Sequence, residues 1–156
     1  MKDVLIIFGE GGHAEQMKRL LGLLQVDPAR CIGVVDRKGI SAQLASEEWV
    51  VAPLREKYGW SSLSILGRVI SLFVTALKIQ SRYQVETVIS TGPGISIVPA
   101  FVFRLLGRKI VHIETWSRFE SRSHTGRFMY RIANKFYVQN QSLLRLYPRA
   151  TYSGRL

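Results

Sequence analysis

Val4-Leu5-Ile6-Ile7-Phe8-Gly9-Glu10-Gly11-Gly12-His13 is the stretch that decides the fold. Five consecutive apolar residues closed by a glycine turn read as a strand covered on both faces, as in a parallel sheet; a half-exposed strand would alternate. After the turn, Met17, Leu20, Leu21 and Leu24 recur at helical spacing, and Asp27-Pro28 stops the run. Strand, glycine loop and helix make the opening unit of a doubly wound α/β domain. The apolar run is too short for the hydrophobic region of a secretion signal, so none is expected.

The unit repeats along the chain. Further strands are predicted at residues 31–35, 49–52 (ended by Pro53), 85–90, 109–113 and 136–138. Helices are predicted over 95–106, stopped by Gly107, over 125–135, and as a short piece over 142–147 stopped by Pro148. Strands alternating with helices predict a Rossmann-like parallel sheet, with residues 1–156 as a single domain.

The chain has 156 residues, 47% of them apolar, and 22 Lys+Arg against 11 Asp+Glu, a formal net charge of +11. So apolar a composition excludes a disordered tail, and the charge must sit on a folded surface. The length is too short for a two-domain enzyme that binds two substrates in a cleft between halves, so such chemistry would leave one half to another chain. Cys31 is the only cysteine, which excludes an intramolecular disulfide and a multi-thiolate zinc site and fits a reducing compartment. Residues 1–100 carry 11 basic and 9 acidic side chains, whereas residues 101–156 carry 11 basic side chains and only Glu114 and Glu120 as acids. The final third therefore faces an anionic partner: nucleic acid, an anionic membrane leaflet or a diphosphate-bearing substrate. Nucleic acid is the weakest of these, because the chain has neither an aromatic RNA-binding signature nor a recognition-helix motif.

Residues 63–79 are nearly continuously apolar, interrupted by Arg68 and Lys78. They form either a crossover helix packed on the sheet or an interfacial helix over about residues 61–81. In the second reading Trp60, Leu66, Ile70, Phe73 and Leu77 enter the acyl boundary, while Arg55, Lys57, Arg68, Lys78 and Arg82 sit near the headgroups. A helix apolar around most of its girth should be covered on both sides, and a small sheet covers one, which favours membrane contact.

Three motifs lie at predicted C-terminal strand edges, where open α/β sheets bind ligands. The first, Gly9-Glu10-Gly11-Gly12-His13, is either a plain tight turn or a backbone cradle for phosphate at a helix N-terminus. It is not the dinucleotide fingerprint, since Ala14 stands where a third glycine belongs. His13 either acts as a general base or caps the helix. The second, Ser90-Thr91-Gly92-Pro93-Gly94, also joins a strand to a helix, so the two loops can hold a diphosphate from two sides. The third runs from His112 through Ile113, Glu114, Thr115, Trp116 and Ser117 to Arg118, followed by Arg122, His124, Gly126 and Arg127. Glu114 either pairs with Arg118 or Arg127, binds a sugar hydroxyl, or orients His13. Trp116 either stacks on a sugar ring or is simply buried.

These motifs, together with Thr125-Gly126-Arg127, Phe136-Tyr137-Val138-Gln139 and Tyr147-Pro148-Arg149-Ala150, resemble the PssD-type subunit of bacterial polysaccharide glycosyltransferases. They are also similar to the membrane-anchoring subunit of the eukaryotic dolichyl-diphosphate GlcNAc transferase, and more distantly to the N-terminal domain of MurG. The resemblance implies the acceptor-side N-terminal half of a GT-B glycosyltransferase, at the cytoplasmic face of the plasma membrane. It implies a separate PssE-type partner that holds most of the UDP-sugar, and a polyprenyl-diphosphate-linked saccharide as acceptor in exopolysaccharide or capsule synthesis. On this basis His13 is the candidate base and Glu114 the acceptor-contacting or base-orienting residue. Gly9, Gly11, Gly12, Thr91, Gly92 and Gly94, with Trp116, Arg118 and Arg127, bind the acceptor and its diphosphate. No cofactor is expected, and no metal, since the chain lacks a D-x-D carboxylate pair. The eukaryotic subunit begins with a membrane-spanning segment not seen here, so anchoring is expected to fall to residues 63–79. Glu10 stands where a small residue is more usual.

Overall fold

The structure is a computed structural model that describes residues 2–40, 43–54 and 62–156. Among these residues seven strands form one sheet: β1 (Val4–Phe8), β2 (Cys31–Val35), β3 (Glu47–Val50), β4 (Thr87–Ser90), β5 (Lys109–Ile113), β6 (Lys135–Val138) and β7 (Thr151–Tyr152). The order is β3-β2-β1-β4-β5-β6-β7, with every pairing parallel. Consecutive strands run outward from β1 in one direction up to β3, and the chain then returns to the other side of β1 to lay down β4. The crevice between the C-terminal ends of β1 and β4 is therefore the topological switch point of the sheet.

Two cores explain why residues 4–8 are apolar without alternation. Val4, Ile6 and Phe8 pack with Met17 and Leu21 of α1 (Gly12–Leu24). Leu5 and Ile7 belong to the opposite core, with Leu72, Ala76 and Ile79 of α2 (Ser62–Arg82), Phe103 of α3 (Ile97–Leu105) and Met129 of α4 (His124–Ile132). A strand covered on both faces has no position left for a polar residue.

The elements differ from the sequence expectation mainly at their ends. β3 occupies residues 47–50 instead of 49–52, because the acidic Glu47 is accommodated at the sheet edge by Lys2, 3.0 Å away, and by the Tyr83 hydroxyl. β4 starts at Thr87, since the amides of Glu86 and Thr87 both donate to the Asp3 carbonyl. The 95–106 helix opens as a 3-10 turn, Gly94–Ser96, and the short 142–147 helix is a 3-10 turn at Gln141–Arg145. α4 stops at Ile132 because Ala133 turns extended, and the Asn134 side chain then accepts from the Ile110 amide at 2.8 Å. β7, two exposed residues at the sheet edge, carries no apolar period from which to read it.

α2 packs on the sheet with one side, as the crossover reading expects, and leaves the other side exposed. Leu72, Ala76 and Ile79 are buried against the sheet, while Leu63, Leu66, Ile70, Phe73, Val74 and Leu77 are exposed. By length and composition the helix could also cross a membrane. Arg68 donates to the Pro53 carbonyl at 2.6 Å, and Lys78 is exposed. α3, packed beside α2, adds exposed Phe101 and Leu105, with Leu106 just beyond its end. Trp60, Arg55 and Lys57 lie outside the described residues.

Candidate functional site

The loops after β1 and β4 meet at the switch point and are fastened to each other by two hydrogen bonds. The Nδ1 of His13, in the first turn of α1, lies 2.6 Å from the Thr91 carbonyl oxygen, and the Thr91 hydroxyl donates to the His13 carbonyl at 3.0 Å. A carbonyl oxygen only accepts, so Nδ1 carries the proton, and the Nε2 of the neutral ring is left as an acceptor. Gly92 makes room for this ring: its φ is +106°, and a β-carbon there would stand 3.3 Å from His13 Cε1. A histidine with one nitrogen anchored and the other free of its proton is the arrangement a general base requires.

Gly9, Gly11 and Gly12 have distinct reasons. Gly9 is buried, and a β-carbon on it would stand 2.7 Å from Asp36 Oδ2, so the residue is small because the end of β2 approaches it. Gly11 has φ +72° and turns the chain into α1, whose first residue is Gly12. Asp36 accepts from the Glu10 amide at 3.1 Å, and the Glu10 carboxylate is ion-paired with Arg37. Both exposed glycines thus sit at the N-terminus of α1, and the unusual acid between them and Gly9 has a cationic partner.

A crevice of about 630 Å³ opens beside His13. Its wall includes Asp36, Gly92, Gly94, Arg118 and His124, so residues from the ends of β1, β2, β4 and β5 and from the N-terminus of α4 converge there. Ser123 also lines it and caps α4, its hydroxyl accepting from the Gly126 amide at 2.7 Å. Asp36 was not anticipated as a site residue. The signal for it was its place immediately after a predicted strand, at the edge where open sheets bind ligands.

Glu114 is fully buried. It receives hydrogen bonds from Ser123 Oγ at 2.9 Å, from the Tyr147 hydroxyl at 2.8 Å and from the Thr115 amide at 3.2 Å. Its partners are therefore these three groups, and neither Arg118 nor Arg127 is ion-paired with it among the described residues. Burial, and then the neighbouring carboxylate, push the Tyr147 hydroxyl well above the ordinary tyrosine range, which keeps it a donor. Gly126 seals the arrangement, since a β-carbon there would fall 1.8 Å from Glu114 Oε2.

Beside Glu114 lies a buried amide network that sequence reasoning missed. Gln16 Oε1 accepts from the Trp116 amide at 3.2 Å and from Gln139 Nε2 at 2.6 Å, and Gln139 Nε2 also reaches the Glu114 carbonyl at 3.0 Å. The pair ties α1 to the loop after β5. A glutamine next to Met17 on the inward stripe of an apolar helix was the available signal. Trp116 is half-buried, with the guanidinium of Arg19 5.3 Å from its ring centroid and that of Arg155 at 6.0 Å. His112, on β5, is fully buried against Phe136, and neither ring nitrogen has a partner among the described residues. Burial, with His13 as the lesser cause, pushes its pKa down to about 3, so it stays neutral.

The expected site residues thus divide into groups. His13, Gly92, Gly94 and Arg118 line one crevice, and Thr91 is buried behind it. Glu114 and Trp116 support its wall. Arg127 lies elsewhere, in a neighbouring groove of about 640 Å³ with Arg122, Tyr130 and Arg131. Among the described residues no group of three or more His, Cys, Asp or Glu is placed to hold a metal.

The family model described as "Oligosaccharide biosynthesis protein Alg14 like" matches residues 50–156. The UDP-N-acetylglucosamine transferase subunit ALG14 of Candida albicans is 27% identical over 168 residues, covering 97% of this chain and 76% of its own. Among solved structures, the UDP-GlcNAc 2-epimerase of Methanocaldococcus jannaschii matches with TM-score 0.68 at 12% identity, over 98% of this chain and 45% of that one. MurG of Acinetobacter baumannii matches with TM-score 0.58 at 12% identity, over 87% and 40%. At such identities the likeness is one of fold: a Rossmann-like half-domain of the GT-B type. The chain spans less than half the length of these two structures.

Proposed function

Because this chain belongs to the family of Alg14-like oligosaccharide biosynthesis proteins, we propose that it is the acceptor-binding, membrane-associated subunit of a two-component inverting glycosyltransferase. The observation that carries this reading is His13 at the switch-point crevice, its Nδ1 proton committed to the Thr91 carbonyl and its Nε2 left as an acceptor. In the reaction, His13 Nε2 takes the proton from a hydroxyl of the lipid-linked saccharide. The hydroxyl oxygen bonds to the anomeric carbon of the donor sugar from the face opposite UDP. The bond from that carbon to the diphosphate oxygen breaks, UDP leaves with the electron pair, and the configuration inverts. Helix N-termini and basic side chains, mainly on the partner, stabilise the leaving diphosphate.

In this reading a PssE-type partner supplies the other half of the cleft and most of the UDP-sugar site. The acceptor is a polyprenyl-diphosphate-linked saccharide on the cytoplasmic face of the plasma membrane, in exopolysaccharide or capsule assembly. Glu114 acts as a positioning residue, holding the Ser123 cap that aims the start of α4 at the crevice. The exposed apolar face of α2 is the membrane contact.

The test combines the purified chain, the candidate partner, UDP-sugars and a polyprenyl-diphosphate saccharide. Transfer requiring both chains supports the reading, and full turnover without a partner overturns it. A second reading, a non-catalytic adaptor that recruits the partner to the membrane, is favoured by Glu114 being buried and accepting from three internal donors. Unchanged turnover in a His13→Ala complex would select the adaptor.

A further inference from the structure

We propose that the groove formed by α4, residues 120–122 and Leu146 is a second binding site, for phosphate and diphosphate groups, distinct from the switch-point crevice. The groove holds about 640 Å³ and is lined by Arg122, Arg127, Tyr130, Arg131 and Leu146, with Glu120 the lone acid at its rim. Among the described residues none of its three arginines is ion-paired with a carboxylate. Elsewhere in the chain Arg19, Arg30, Arg37 and Arg82 each have one.

Three like charges with one acid, Glu120, in the same lining leave a net positive surplus that repels itself, and an anion between them relieves that repulsion. The cluster is also partly ordered before any ligand arrives. The Arg122 guanidinium lies 5.2 Å from the Tyr147 ring centroid and donates to the Leu146 carbonyl. On the neighbouring strand of chain, Arg149 stacks 4.8 Å from the centroid of Tyr130 while its amide donates to the Tyr130 hydroxyl at 2.7 Å. Planar guanidinium donors held in place lose little freedom on binding, and their fork geometry matches phosphate oxygens.

The groove and the crevice stand on either side of the first turn of α4: residues 123–125 line the crevice, and residues 122 and 127 line the groove. A saccharide reaching His13 and a diphosphate seated in the groove would therefore straddle that turn. On the other flank of α4, Phe128 meets Phe101 of α3 with ring centroids 6.3 Å apart, which joins the helix to the exposed apolar surface. The acceptor's own diphosphate and the phosphate of an anionic membrane lipid share the chemistry that fits here. The choice of the acceptor as the natural source rests on the function proposed above, whereas the anion chemistry does not.

The test uses the full chain alone. Inorganic pyrophosphate and geranyl diphosphate are titrated calorimetrically into wild type, into Arg127→Gln/Arg131→Gln, and into Arg104→Gln/Lys109→Gln, which removes the same charge from exposed positions elsewhere. In parallel, flotation is measured on phosphatidylcholine vesicles with and without phosphatidylglycerol. The groove variant is expected to bind both soluble probes at least tenfold more weakly at unchanged melting temperature, and the control to bind like wild type. Loss confined to phosphatidylglycerol vesicles would support the groove as a phosphate site but assign it to membrane lipid. Equal effects of the two variants in both arms, or wild-type binding by the groove variant in both, would overturn it. Neither arm needs the partner or turnover, so failure of the two-component reading is seen separately.

Discussion

His13 and Thr91 hold each other reciprocally: imidazole Nδ1 to carbonyl at 2.6 Å, hydroxyl to carbonyl at 3.0 Å, across 78 positions of sequence. This one pair closes the switch point, fixes the histidine tautomer and joins the two glycine loops.

If Nδ1 anchors and Nε2 accepts the proton, the two functions are separable. His13→Asn should retain a side-chain donor toward Thr91, and hence the fold and partner binding, while lowering turnover by roughly 10²–10⁴-fold, the usual size of a general-base contribution. Turnover of the reconstituted complex, with complex formation measured alongside, checks this. Activity within a few-fold of wild type would remove His13 from the chemistry.

The buried carboxylate should matter more for folding than for binding. Tyr147→Phe deletes one donor to Glu114 and is expected to cost about 1.5–3 kcal/mol, the range for a hydrogen bond to a charged group. Gly126→Ala should be worse, because its β-carbon would stand 1.8 Å from Glu114 Oε2 and 2.6 Å from the Tyr147 hydroxyl. Denaturant unfolding of both variants measures the order. A neutral Gly126→Ala would mean the Glu114 network is not as closely packed as described.

His112 makes stability pH-dependent in a stated direction. Burial lowers its folded pKa to about 3, so between that value and the ordinary histidine value near 6.5 the unfolded chain binds a proton that the folded chain excludes. Stability therefore falls as pH drops through this window, by roughly 3 kcal/mol at pH 4. His112→Leu removes the group and should flatten the dependence of melting temperature on pH between 6.5 and 4. An unchanged slope would assign the acid loss to other groups.

On α2, Phe73 and Leu77 are 44% and 42% exposed, whereas Ala76 on the opposite side is fully buried. Phe73→Glu/Leu77→Glu should therefore leave the melting temperature nearly unchanged and abolish liposome binding, while Ala76→Glu should unfold the protein by burying an unpaired charge. Undiminished vesicle binding by the double variant would place the membrane contact on another surface.

How much of this was legible before folding depended on the kind of signal. β1 and β2 were read to the residue because a doubly covered strand is an unbroken apolar run, and β5 because Ile110, Val111 and Ile113 mark it between Gly107 and the polar run that follows. β3 was misplaced by two residues because its charged Glu47 is tolerated through Lys2, Arg82 and Tyr83, partners distant in sequence. His13 and both glycine loops were legible by position, as titratable or flexible residues directly after apolar strands. Asp36 had the same position but no glycine pattern to draw attention to it. The Gln16–Gln139 bond spans 123 residues, and no local pattern encodes it.

The order of apolar runs and glycine turns by itself determined a parallel α/β sheet with two loops at its C-terminal edge, because backbone satisfaction and burial leave few other uses for such segments. Only the tertiary structure decided what the charged and polar residues near those loops do. It sank Glu114 beneath Ser123 and Tyr147, moved Arg127 from the crevice into a separate arginine groove, and set one side of α2 against the sheet while leaving the other exposed. The physical reason is range. Hydrophobic periodicity is written within a few neighbouring residues, whereas a charge acquires its partner, or goes without one, only when distant strand ends and helices are brought together.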